Sequence, residues 1–250
     1  MTKPSVFSWI LWMLSGIVLL FIIAPLLQVF LSLHFTDYAK IISDNELHQS
    51  LITTLLIGFI TTLFFSLGAI PLAYLLARKQ FRLKRLIVSI IDIPIVIPHT
   101  AVGIALLTVF SPKGIFPLNI IDSSLGIGLA MAFVSIPFLI QSAREGFLTV
   151  PEKLEKASLS LGMNHRQTFF KIAIPLAWHH IVSGFIMMFA RGISEFGAVI
   201  IIAYRPTTSS VLLFERFNSF GLLAAQPVAA TIIIISLCIF VVLRLLASKN

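Results

Sequence analysis

Six stretches of this chain are apolar enough and long enough to cross a lipid bilayer, at about residues 7 to 33, 51 to 77, 86 to 110, 124 to 141, 176 to 203 and 221 to 247. A span needs about 20 apolar residues, because the hydrocarbon core is about 30 Å thick and a helix rises about 1.5 Å per residue. Water is absent there, so backbone polar groups must be satisfied within the segment, and stretches of this length read as helices. The spans and their connections use up all 250 residues. The expected architecture is an all-α membrane protein of about six transmembrane helices, forming a single domain over residues 1–250. Charged residues make up 11% of the chain, less than half the roughly 25% of soluble domains, which excludes a water-soluble fold.

The first stretch follows Met1-Thr2-Lys3 and begins like a signal peptide. At about 30 apolar residues it is too long for a signal core, and no small-residue cleavage site follows it, so it reads as a retained first helix. Cys238 is the one cysteine and sits in the last stretch, which rules out a disulfide or thiolate metal site and leaves a packing role.

The net charge of +8 reports topology and not a nucleic-acid partner, because of where the charges sit. Lys3, then Arg78, Lys79, Arg82, Lys84 and Arg85, then Arg144, Lys153, Lys156, Arg166 and Lys171, and finally Arg244 and Lys249 all fall in alternate connections or at the ends. These are thirteen of the eighteen Lys and Arg; Lys40, Lys113, Arg205 and Arg216 lie on the other side, and Arg191 is within span five. Cytoplasmic loops carry the excess of positive charge, so both termini are expected in the cytoplasm of a multi-pass protein of the cell membrane. Trp9, Trp12, Trp178 and Tyr204 fit aromatic belts at the lipid–water boundary. The outer connections are too short to bind a solute unaided, which assigns high-affinity recognition to a partner.

The connection from about 142 to 175 is the long one in an otherwise economical chain, which marks it as functional. Pro151 before Glu152 signals a helix start. Leu154, Ala157, Ser158 and Leu161 recur at helical spacing on one face, and Gly162 can end the turn in the left-handed region. Asn164 followed three residues later by Gln167 predicts a capping box for a second short helix through Phe169, Phe170 and Ile172, ending before Pro175. The expected shape is a two-helix knob with a glycine bend.

The segment Glu155-Lys156-Ala157-Ser158-Leu159-Ser160-Leu161-Gly162, nine further residues, and Ile172-Ala173-Ile174-Pro175 resembles the EAA loop of ABC importer permeases. Counted back from Gly162, Lys156 occupies the usual Glu position and Glu155 lies one earlier. The resemblance implies a type I ABC importer permease fold in which Glu152, Leu154, Glu155, Ala157, Ser158, Leu161, Gly162, Arg166, Phe169, Ile172 and Pro175 belong to the loop carrying the coupling helix, which seats in a groove on an ATPase subunit. No Gly-x-x-x-x-Gly-Lys-Ser/Thr sequence occurs in this chain, so it lacks a phosphate-cradling loop and is not itself expected to be an enzyme. The chain is expected to bind no cofactor or metal, and ATP and Mg would belong to the separate ATPase.

Span five carries Arg191 and Glu195 four residues apart, a neutral pair at a depth where a lone charge costs about 2.5 to 3.5 kcal/mol. The pair, with Ser194 between, either lines the translocation route or its gate, or locks helices together. Span three begins with Asp92, Pro94, Pro98, His99 and Thr100. Prolines four apart break or bend a helix, and the freed backbone groups are tolerated at membrane depth only beside protein or a cavity. Asp92, His99 and Thr100 are therefore further candidates for the path, with a structural role as the alternative.

Three groups of segments closely resemble the molybdate/tungstate permeases, especially their archaeal branch: Asp92-Ile93-Pro94 with Ile97-Pro98-His99-Thr100, then 190 to 198, and Ala203-Tyr204-Arg205-Pro206 with Phe214-Glu215-Arg216. The resemblance covers nearly the whole chain. It implies a tetrahedral oxyanion as cargo and alternating access as mechanism. It also implies a second copy of the chain in a homodimer, two ATPase subunits and an extracytoplasmic oxyanion-binding protein, all in membrane lipid. Sulfate or thiosulfate permeases, usually heterodimers, are the near alternative; an ion-coupled secondary transporter is the alternative from another class, and the EAA-like loop speaks against it.

Overall fold

The computed structural model describes residues 6–34 and 41–248. Lys3, Lys40 and Lys249, used above for orientation, lie outside the described residues, as does the side chain of Arg244. Among the described residues every regular element is helical: α1 Val6–Leu31, α2 Asn45–Arg78, α3 Lys84–Val96, α4 His99–Val109, α5 Ser124–Thr149, α6 Glu152–Ser160, α7 His165–Thr168, α8 Ile174–Ile193, α9 Gly197–Ile202, α10 Ser209–Phe220 and α11 Leu222–Ser248. A five-residue π-helical stretch, Phe169–Ala173, joins α7 to α8.

Five of these helices, or helix runs, are long and apolar enough to span: Phe7–Leu31, Asn45–Arg78, Ser124–Thr149, His165–Ile193 and Leu222–Val242. The sixth is a bent pair in which α3 and α4 meet at 115°. The bend falls at Ile97-Pro98, where the residue before a proline is driven out of the helical region; Ile97 has ψ 148 and Pro98 caps α4. Pro94, the other expected breaker, is carried inside α3.

Three boundaries differ from the sequence expectation. Span four does not stop at 141 but continues to Thr149, because charge at Arg144 marks the membrane edge and not the end of backbone hydrogen bonding; Val150 before Pro151 is the stop. The second helix of the knob does not end before Pro175 but runs on into α8. The π-helical turn, with Ile174 N–H bonded to the Phe169 carbonyl five residues back, widens the helix where Pro175 has no N–H to give. Span five ends at Ile193 instead of 203, and α9 is a separate half-helix.

Helices α2, α5 and α8 form the centre of the bundle. Near the knob, Ala73, Leu76, Leu139, Ala143, Phe147, Ala173, Ala177 and Met188 are buried together. Towards the other end, Val102, Leu106, Ile127, Met131, Val134, Val199 and Ile202 enclose the half-helices α4 and α9. Association in lipid is driven by close packing of small residues, and α5 lies against α8 through Gly146, where an added Cβ would stand 2.4 Å from the His180 Cβ. Helix α1 packs against α11 and leaves its apolar side chains exposed. Cys238, read above as a packing residue, is exposed on α11; an apolar position surrounded by lipid needs no protein neighbour.

Candidate functional site

The knob is built by local chemistry. Helix α6 ends in a Schellman turn: Gly162 at φ +88 donates its N–H to the Leu159 carbonyl (3.0 Å), and Met163 donates to the Ser158 carbonyl (3.1 Å). Asn164 then caps α7 reciprocally with Gln167, at 2.8 Å from Gln167 N–H to Asn164 Oδ1 and 2.9 Å from Asn164 N–H to Gln167 Oε1. The Ser158 and Thr168 hydroxyls, both buried and 2.8 Å apart, tie the two helices to each other.

The faces of α6 are not the expected ones. Leu154, Ala157, Ser158 and Leu161 were read as one face, but only Ser158 of the four is buried, and Leu161 is 85% exposed. The buried face is Glu155 with Ser158, because Glu155 meets two side chains of α2. Its Oε1 accepts from Arg78 Nε (2.9 Å) and Nη2 (2.6 Å), and its Oε2 from the Tyr74 hydroxyl (2.8 Å). The outer surface of the knob therefore carries exposed Leu154, Ala157, Leu161 and Phe170 with Arg166 beside them. Lys156, at the usual Glu position, makes an exposed pair with Glu152 at 3.5 Å, worth at most about 1 kcal/mol. Phe169 packs on Tyr74, Ile172 is half-buried, and Pro175 is exposed at the start of α8. Tyr74 and Arg78 escaped the sequence reading; Arg78 stood there only as one of several cations after span two, and nothing local marks its partner.

A second constellation lies where two spans break. Glu195 is fully buried in the connection between α8 and α9; its Oε1 accepts the Ala198 N–H (2.9 Å) and so caps α9. Its Oε2 lies 3.2 Å from Arg191 Nη1 and 3.0 Å from His99 Nδ1, close charge contacts without hydrogen-bond alignment. Arg191 Nη2 reaches the His99 ring at 2.9 Å from Nε2. The same Nη2 lies 3.0 Å from His99 Nδ1, so the guanidinium meets the imidazole along the edge that carries both nitrogens. Ser194 donates its hydroxyl to the Arg191 carbonyl (3.0 Å), closing the end of α8, and Ser210 donates to the Glu195 carbonyl (2.9 Å). Arg191 and Glu195 were expected on one continuous helical face; they meet instead across the helix end, whose freed polar groups these side chains satisfy.

Of the six candidates for the path, the structure brings together Arg191, Ser194, Glu195 and His99. Asp92 lies apart and takes a hydrogen bond from the Gln141 side-chain amide on α5. Thr100 is exposed on the first turn of α4. Next to Ser194 opens a cleft of about 540 Å³ between α2, α8, α10 and α11, apolar apart from Thr54, Ser194, Ser209, Ser210 and Ser236. No group of three His, Cys, Asp or Glu side chains suited to a metal occurs among the described residues.

The bundle thus has one bent span, one span interrupted before its end, and a structured two-helix loop between its fourth and fifth spans. The alginate importer of a bacterium has this fold: its solved structure superposes with a TM-score of 0.77, covering 97% of this chain and 96% of that one at 14% identity. The family model described as "binding-protein-dependent transport system inner membrane component" matches residues 69–249. Two curated relatives are molybdate/tungstate transport system permease proteins. That of Pyrococcus abyssi is 47% identical over 238 residues, 94% of each chain; that of Pyrococcus furiosus is 42% identical over 239 residues, 95% of this chain and 94% of that one. The chain belongs to the binding-protein-dependent permease family, within its molybdate/tungstate branch. It is accordingly a permease subunit and not an enzyme, the ATPase being a separate subunit.

Proposed function

We propose that this chain, as a homodimer with both termini in the cytoplasm, carries molybdate or tungstate inward by alternating access. An extracytoplasmic oxyanion-binding protein delivers the cargo, and two ATPase subunits holding ATP and Mg drive the switch. The observation that carries the cargo is identity of 42 to 47% along nearly the full length of two molybdate/tungstate permeases. The test is to purify the complex and present molybdate, tungstate and sulfate in turn on its binding protein. Molybdate or tungstate is expected to stimulate ATP hydrolysis; stimulation by sulfate alone sinks the assignment.

In this reading the knob is the ATPase contact. Its outer surface supports that role, because Leu154, Leu161 and Phe170 stand exposed on a structured polar loop, where lipid does not account for apolar side chains. The Arg191–Glu195–His99 cluster is the hinge of the gate. The half-helices α4 and α9 pack on each other, Gly103 letting Ala198 and Ile201 approach so closely that an added Cβ would stand 2.9 Å from the Ala198 carbonyl oxygen. They pivot where the cluster closes the two breaks, and Ser194 joins it to the hydroxyl-bearing cleft. Hydroxyls without a free cation suit a route that must release what it admits.

Gly162→Val tests the knob. The left-handed backbone at φ +88 costs a β-branched side chain about 1 to 3 kcal/mol, although no atom stands within 4 Å of the added Cβ. The bend should open and uptake in reconstituted vesicles fall while the ATPase associates more weakly. Unchanged uptake together with unchanged association removes the knob from the mechanism.

A further inference from the structure

The acid that stands one place early in the EAA-like segment is the most heavily engaged side chain of the knob. Glu155 uses both oxygens on α2, and Arg78 Nη2 also donates to the Val150 carbonyl (3.0 Å) at the end of α5. The two side chains of this ion pair are only 10% and 11% exposed. Tyr74, the other donor, packs its ring edge-on against Phe147 at 5.2 Å and Phe169 at 4.9 Å. The chain already joins the knob to α5 and α8. Its polar link to α2 is made by side chains 77 and 81 residues away in sequence.

Helix α2 then runs the depth of the bundle, and near its other end Thr54 Oγ1 accepts the Ser209 N–H at 2.8 Å, at the start of α10. From Thr54 to Arg78 the helix is about 36 Å long at about 1.5 Å per residue. One continuous helix, with Pro71 inside it, therefore touches the knob at one end and, at the other, both α10 and the cleft bordered by Thr54, Ser209 and Ser210. Buried charge pairs hold their geometry because separating them leaves an uncompensated charge.

We propose that Glu155, Arg78 and Tyr74 are positioning residues that pass movement of the knob into α2, and through α2 to α10 and the cleft on the far side. The proposal rests on the knob being the ATPase contact. A load applied to the outer surface of α6 reaches α2 through the carboxylate–guanidinium pair. Without that pair α6 moves with α5 and α8 alone.

The experiment measures uptake per ATP hydrolysed in vesicles containing the permease, its ATPase and its binding protein. Glu155→Gln and Arg78→Gln are each expected to lower that ratio about tenfold, within the ordinary range of coupling between distant sites. Tyr74→Phe removes one hydrogen bond and should lower it less. The exchanged pair Glu155→Arg with Arg78→Glu is expected to recover part of that ratio, whereas an ion pair that only stabilises the fold would change the yield of assembled complex and leave the ratio alone in every variant. Single variants with an unchanged ratio overturn the proposal. Where the single variants fail to assemble, the exchanged pair decides: assembly with a ratio above that of Glu155→Gln/Arg78→Gln upholds it, and any other result overturns it. Leu161→Asp, on the exposed surface, separates the two levels. If Leu161→Asp leaves both association and uptake intact, the knob is not the ATPase contact. If it weakens association while Glu155→Gln keeps its ratio, the knob stands and the link to α2 falls.

Discussion

Glu195→Ala is expected to destabilise the permease by about 3 to 5 kcal/mol, the usual cost of breaking a buried charge pair from one side. Two losses combine. Arg191, with its side chain 25% exposed, and His99, 31% exposed, are left facing each other without the carboxylate between them. Helix α9 also loses the acceptor for its Ala198 N–H, a cap worth about 1 kcal/mol. Glu195→Gln separates the two, since the amide oxygen can still accept from Ala198 while the charge is gone. The order of thermal stability for the detergent-purified protein should therefore be wild type, Gln, Ala. Arg191→Gln should also destabilise, because it strands a fully buried carboxylate. The double change Glu195→Gln/Arg191→Gln should cost less than the sum of the singles, the signature of a coupled pair. Stability of Glu195→Ala equal to wild type would show that the cluster holds nothing together, and a loss of uptake at full stability would make it path and not hinge.

That cluster illustrates which parts of a membrane protein its sequence discloses. Features set by neighbours a few residues apart were legible: the six apolar runs, the left-handed Gly162, the Asn164–Gln167 cap and the break at Pro98 all follow from local sterics and hydrogen bonding. Arg191 and Glu195 were recognisable as a pair because they are four residues apart. His99, 92 residues from Arg191, was noticed beside a broken helix but without a partner. Glu155 looked like a misplaced member of a surface motif; its role became visible only with Tyr74 and Arg78 beside it, which a single sequence does not associate. Helix ends were misjudged for a related reason. Hydropathy reports where lipid stops, and α5 continues past that point for as long as its backbone can bond.

Glycines show the limit most directly. Gly68 lies in the apolar middle of α2 and Gly146 beside Arg144 and Glu145 near the end of α5, but nothing next to either in the sequence tells which of them meets another helix. Around Gly68 no heavy atom comes within 4 Å of an added Cβ; at Gly146 the His180 Cβ would be 2.4 Å away and the Ala177 carbonyl oxygen 3.3 Å away. Gly146→Leu is therefore expected to force α5 and α8 apart at their closest approach. Overpacking costs about 1 to 3 kcal/mol in an ordinary core and occasionally more. Here the neighbour is the stiff base of a side chain, which cannot swing aside. Gly68→Leu should be neutral, its side chain entering lipid. The measurement is the yield and thermal stability of monodisperse protein for the two variants. Equal behaviour would mean that α5 and α8 do not meet as described. The consequence extends beyond stability, because the knob hangs between these two helices: α5 enters it at Val150 and α8 leaves it at Ala173. A seam opened at Gly146 also shifts Phe147, which with Phe169 packs against the Tyr74 ring. Any Gly146→Leu protein that survives should therefore also show lowered uptake per ATP, through the same contact that Glu155 and Arg78 hold closed.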